Sequence, residues 1–156
     1  MRVVGIDPGT QVLGYAVIEL RRPRVELVDA RAFKVPAKLD SAGKLLHIWT
    51  QVSQRMQEDH PDQLAIEDIF VQNNVRSAFK IGQARGVIML AAAQISIPVY
   101  EYSPREVKCA VTGYGNAAKE QVAAMVCRLF PSIPAESPFD LTDAVAVALC
   151  HVNRTR

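Results

Sequence analysis

The sequence predicts an α/β domain built on a five-stranded mixed sheet, three antiparallel strands followed by two parallel ones, flanked by helices. Two observations carry that expectation. The chain up to Phe33 holds three apolar or alternating runs joined by short turns, the pattern of an antiparallel meander. From Ser41 onward helical periodicity alternates with short apolar runs, and that alternation implies parallel neighbours. A length of 156 residues suits one domain, residues 1–156, with one sizeable core.

Residues 2–7 are a buried strand, and Asp7-Pro8-Gly9-Thr10 is strong turn chemistry. Val12 to Leu20 gives the second strand, where Gly14 allows close approach. Val25 to Phe33 gives the third, with Val25 and Leu27 alternating before polar Asp29 and Arg31. Ser41 to His60 is helical, because Leu45, Trp49, Val52 and Met56 form one apolar stripe, and Pro61 ends it. Gln63 to Glu67 is a short buried strand. A long helix runs from Asn74 to about Ser96, and Ile97 to Tyr102 is the fifth strand. Ser103-Pro104-Arg105-Glu106 is a capping box with proline at the first helical position. Asn116 is placed to cap the next helix, whose Val122, Met125, Val126 and Leu129 share a face. The final helix begins at Asp140, after a loop containing Pro131, Pro134 and Pro138.

Hydrophobic residues make up 49% of the chain and charged residues 22%, close to a globular average. No apolar run approaches the roughly 18 residues of a membrane span. The start, Met1 to Gly5, lacks a signal-peptide layout. Cys109, Cys127 and Cys150 are too far apart for a zinc site and are expected as reduced thiols at or near the core of a cytoplasmic protein. Net charge is +2. Setting aside the four acids discussed next leaves 18 basic against 12 acidic residues, an excess compatible with a phosphate-rich partner.

Four carboxylates sit where apolar runs stop: Asp7 after Val3 to Ile6, Glu67 after Leu64 to Ile66, and Asp140 and Asp143 at the head of Ala144 to Leu149. Acids gathered on one rim repel one another unless a cation sits among them, which points to a divalent-metal site. Each acid also has an ordinary reading. Asp7 could stabilise its own turn, Glu67 could pair with an arginine, and Asp140 and Asp143 could simply favour a helix start. Asp68 falls on the other face from Glu67 by strand alternation. Lys119, in a first helical turn, opposes the helix dipole and suits a phosphate partner better than a helix. Phe70 is either a loop anchor or an exposed ring that stacks on unpaired bases. Gly82 and Gly86, one turn apart, suit close packing against the protein's own sheet or a second copy of the helix. The hexapeptide Gly5 to Thr10 also looks like the first phosphate motif of actin and sugar-kinase-type ATPases. Those proteins need two such domains, for which this chain is too short.

Taken together, the segments Gly5 to Thr10 with Gly14-Tyr15, Ala65-Ile66-Glu67 with Phe70, Ser77 to Gly86, Tyr102 to Lys108, Lys119 to Val122 and Asp140 to Ala144 resemble the bacterial RuvC family of Holliday-junction resolvases. The resemblance spans nearly the whole chain. It implies a ribonuclease-H-like fold and a homodimer that nicks a four-way DNA junction symmetrically in recombination and repair. It also implies a branch-migration helicase complex as partner. By the same resemblance Asp7, Glu67, Asp140 and Asp143 hold metal, Lys108 and Lys119 lie near the scissile phosphate, and Phe70 stacks on bases at the junction centre. The helix with Phe79, Gly82 and Gly86 is the dimer contact. The chemistry expected is hydrolysis aided by two Mg²⁺ ions, with Mn²⁺ as the other candidate, leaving 5′-phosphate and 3′-hydroxyl ends. The first strand is expected at the centre of the sheet, with Asp7 bridging the ions. Two rival expectations are a non-catalytic junction-binding protein of the same fold and the ATPase half-domain. Asp68 directly after Glu67, and a chain stopping at Arg156 without the basic tail of many family members, are departures from the family pattern.

Overall fold

The computed structural model describes residues 1–69 and 74–155. Its sheet comprises β1 (Arg2–Asp7), β2 (Val12–Arg21), β3 (Arg24–Lys34), β4 (Gln63–Glu67) and β5 (Val99–Tyr102), in the spatial order β3-β2-β1-β4-β5. β1 pairs antiparallel with β2 and parallel with β4, β2 pairs antiparallel with β3, and β4 pairs parallel with β5. The first strand is central, as its continuous apolar run predicts.

The helices are α1 (Ser41–Asp59), α2 (Val75–Gln94), α3 (Pro104–Thr112), α4 (Lys119–Leu129) and α5 (Phe139–Thr155). Side-chain alternation divides the core in two. Val4, Ile6, Leu13, Tyr15, Leu64 and Ile66 pack under α1 and α2. Val3, Ala16, Ile18 and Ala65 pack under α5, which α3 and α4 cover in turn. This explains why α5 is buried from Ala144 through Val152: it is the middle layer on its side of the sheet.

Three local expectations need correction. The alternation of β3 changes phase, because a bulge between Val17 and Ile18 in the pairing register places Asp29 opposite Val17 and Leu27 opposite Ile18. Val28 is left over and exposed, and Ala30 resumes the α5 side, so the polar Asp29 and Arg31 face the other way. Asn116 does not cap α4. The cap is Ala118, whose amide donates to Gln121 Oε1 at 2.8 Å, so the side chain reaching back comes from inside the helix. α5 starts at Phe139 and Asp140 lies within its first turn. In addition, Cys109 is exposed, while Cys127 is half-buried and Cys150 buried, all three as free thiols. The capping box stands as expected: the Ser103 amide donates to Glu106 Oε2 at 2.8 Å and the Glu106 amide donates to Ser103 Oγ at 3.3 Å.

What positions α5 is the smallness of the residues beneath it. A Cβ added to Gly5 would lie 2.3 Å from the Ala144 carbonyl oxygen and 2.6 Å from the Ala148 amide nitrogen. A Cβ added to Gly14 would lie 1.9 Å from the Asp140 carbonyl oxygen. These are backbone atoms of a helix, which cannot give way as a side chain can. Gly5→Ala is therefore expected to lift α5 and to cost about 3 kcal/mol or more, the upper range of overpacking penalties. Urea unfolding measures that loss, and a midpoint unchanged from the parent would contradict the packing described.

Candidate active site

The sheet register builds the site. Gly5 pairs with Ala65 and both face α5, so two residues further on Asp7 and Glu67 emerge side by side on that same face. α5 crosses above them with Asp140 and Asp143 in its first two turns, one helical face apart by three residues. All four carboxylates are half-buried.

Their fields overlap. Burial, then Glu67, Asp143 and Asp140, push Asp7 up to about 7. Burial and then Asp143 push Glu67 up to about 7. Asp143 is raised as well, by burial first, although Lys119 pulls against it. Lys119 Nζ donates to Asp143 Oδ2 at 3.1 Å. Burial works against its charge, yet Asp143, Asp7 and Glu67 together hold it above the ordinary lysine value. Lys108 on α3 adds a second positive field that reaches Glu67 and Asp143. No arginine pairs with Glu67 among the described residues, which removes its bland reading.

The donor set fits a hard divalent cation. Four carboxylates from three elements offer only oxygen ligands, and the upward shifts mean that positive charge between them would be favourable. As they stand, no three acid, histidine or cysteine side chains among the described residues converge closely enough to hold an ion together. The four share a field rather than a closed ligand shell, with the Lys119 ammonium as the nearest compensating charge.

Asp68 turns away from this group. Arg85 on α2, nearly buried, donates to Asp68 Oδ1 at 3.0 Å and to Glu101 Oε2 on β5. The extra acid is thus neutralised on the opposite face of the sheet. Phe70 lies outside the described residues. On α2, Phe79 is 72% exposed, and among the described residues a Cβ on Gly86 would meet nothing within 4 Å and one on Gly82 would touch only the Ile69 side chain at 3.4 Å. The protein's own sheet therefore does not account for Gly86.

Two features escaped the sequence. One is Arg85, whose partners lie 17 residues before it, just past β4, and 16 residues after it, on β5. The other is His151, fully buried, which donates from Nε2 to Gln63 Oε1 at 2.6 Å and accepts at Nδ1 from the Tyr102 hydroxyl at 2.7 Å. Gln63 Oε1 can only accept, which assigns the tautomer. Burial lowers the histidine's proton affinity, so it is held neutral. A lone polar residue inside Ala144 to Val152 was the available signal.

A mixed sheet in this order, with acids delivered by the central strand, its parallel neighbour and a helix lying across them, defines the ribonuclease-H-like class. Within that class, the sequence model described as crossover junction endodeoxyribonuclease RuvC matches residues 3–151. The RuvC of Halothermothrix orenii is 41% identical over 156 residues, covering 100% of this chain and 94% of the relative. The solved structure of Thermus thermophilus RuvC in complex with Holliday junction substrate superposes with a TM-score of 0.91 at 34% identity, covering 100% of this chain and 95% of that one. The yeast mitochondrial Holliday junction resolvase, at 13% identity and TM-score 0.70 over 97% of this chain and 77% of its own, shares the fold. The chain belongs to the RuvC family.

The acid cluster has a measurable consequence for the metal-free protein. The folded pKa values of Asp7 and Glu67, about 7, lie above their ordinary values of 3.8 and 4.5. The native state then keeps protons that the unfolded chain has released, so stability falls as pH rises from about 4 through 7. In the presence of chelator, Asp7→Asn is expected to melt above the parent, with an advantage that grows between pH 5 and pH 8. Calorimetry across that range checks it, and an advantage flat with pH would contradict the mutual repulsion.

Proposed function

We propose that the protein is a structure-specific endonuclease that resolves four-way DNA junctions by paired symmetric nicks. The observation that carries the reading is the shared field of four half-buried carboxylates from β1, β4 and α5, with two lysines reaching it, in a chain of the RuvC family. Asp7, Glu67, Asp140 and Asp143 would hold the Mg²⁺ ions, two per site. The chemistry such ions would supply is activation of a water and neutralisation of the leaving oxygen, which would leave 5′-phosphate and 3′-hydroxyl ends. The overlap of Asp7's field with those of Glu67, Asp143 and Asp140 supports its place among the ligands.

The chain's own residues do the rest. Lys119, half-exposed at the rim and tethered by Asp143, offsets the negative charge that builds on the phosphate. Lys108 attracts the phosphate from α3. Phe70 stacks on an unpaired base at the opened junction centre, and Arg85 anchors Asp68 at the end of β4. No step requires a covalent enzyme intermediate.

Paired nicks require paired sites. The α2 face carrying Phe79, Gly82 and Gly86 is the proposed homodimer contact. Exposed Val75 and Leu90 extend its apolar character along the helix, and such a face supports self-association. A branch-migration helicase complex as partner and a cytoplasmic setting belong to the same proposal, supported by membership of the family. No described helix is long and apolar enough to cross a membrane.

The decisive assay incubates the protein and Mg²⁺ with a labelled synthetic four-way junction and with linear duplex of the same sequence. Symmetric nicks in the junction alone are expected, and Asp7→Asn abolishes them while junction binding persists. Binding by the parent without cleavage in Mg²⁺ or Mn²⁺ would establish the non-catalytic junction binder instead. Sedimentation at micromolar concentration is expected to show a dimer, and Gly86→Glu should shift it to monomer without lowering the melting temperature.

A further inference from the structure

A groove leaves the acid cluster at Asp140, runs between the β1–β2 turn and the first turns of α2, and continues to the start of α1. Its two segments share Thr10, Gln11 and Lys80, so they form one channel. The segment beside Asp140 encloses about 360 Å³ and the segment beside α1 about 100 Å³. Apart from Asp140 at its mouth, no acid among the described residues lines it. Ser77 and Lys80 supply one wall and Lys44 the far end. Neither lysine is in an ion pair among the described residues.

The floor is the Pro8 to Gln11 turn. A Cβ on Gly9 would lie 1.8 Å from the Val12 carbonyl oxygen, so the turn closes this tightly only with glycine. The amides of Gly9, Thr10 and Gln11 donate to no acceptor among the described residues. Free backbone donors, hydroxyls and two lysines along one channel are complementary to phosphate oxygens. Two lysines on separate helices fit a run of phosphates rather than one. Continuity with Asp140 places that run on the strand whose phosphate reaches the acids.

We propose that this groove seats the sugar–phosphate backbone of the DNA strand flanking the scissile phosphate, with Lys80 and then Lys44 neutralising phosphates progressively further from the cut. The proposal rests on the junction-cleaving reading above and adds the path of the strand. Backbone contacts of this kind set register and carry no sequence information.

The test measures junction affinity against salt in the Asp7→Asn background, which binds without cutting. Lys80→Ala and Lys44→Ala are each expected to reduce the slope of log affinity against log salt by roughly 0.9, which is roughly an eightfold loss of affinity at 0.1 M salt. The double variant should lose about twice that slope. Arg24→Ala, in the hairpin at the opposite end of the sheet, should leave the slope at the parent value. A double variant with the parent's slope overturns the groove while leaving junction cleavage standing. A parent that shows no preference for the junction over duplex overturns the functional reading itself. Lys80 is exposed and Lys44 half-buried, both lie within helices where alanine is a good helix former, and circular dichroism of the double variant should match the parent.

Discussion

The site depends on one contact: the crossing of α5 over β1 and β2 at Gly5 and Gly14. Helices pack on sheets at a distance set by the side chains between them, and here two of those side chains are missing. The helix backbone, through the Ala144 and Asp140 carbonyls and the Ala148 amide, comes down to the sheet itself. Only at that separation do acids from the helix enter the field of an acid at the strand end. Everything chemical in the molecule follows from that approach.

The approach has an electrostatic cost that the fold distributes rather than removes. Half-buried carboxylates from different segments raise one another, and two ammonium groups, Lys119 on α4 and Lys108 on α3, offset part of the excess. Under the proposed metal-binding role, function and stability pull in opposite directions at Asp7, the usual condition of a site preorganised for a charged partner. The sheet limits the damage by segregation. Glu67 and Asp68 are consecutive, yet pleating sends one to the cluster and the other to Arg85 on the far face. An acid that looked like a disturbance of the site belongs to a separate ion-pair network.

Strand ends were readable in the sequence because a charge terminating a buried apolar run has few places to go. Asp7 and Glu67 could be read as neighbours once the strand order was inferred. Asp140 and Asp143 could not be told from ordinary helix-start acids, since their significance lies in what α5 crosses, and crossing geometry is a property of Gly5 and Gly14 in three dimensions. The bulge opposite Val17 was hidden because a phase change in alternation looks the same as a weak strand. Ala118 was passed over as a cap because the capping group is supplied by Gln121 from inside the helix. Arg85 and His151 have partners in remote segments, and no local pattern announces those. The groove beside Asp140 was invisible for the same reason: Lys44 and Lys80 are ordinary surface lysines until α1 and α2 are laid side by side.

The buried His151 network gives the last of these features a mechanical meaning. By tying α5 to both β4 and β5 through Gln63 and Tyr102, it makes the helix a lever with a fixed fulcrum. Asp140 lies eleven residues from that fulcrum, about 16 Å at a rise of about 1.5 Å per residue. A tilt of only about 4° at the histidine then displaces the acid by about 1 Å, an error large enough to matter for positioned reacting groups. Angular precision at the far end of α5 is thus part of the chemistry at its near end, and the tolerance of the site is set by residues that never meet a substrate.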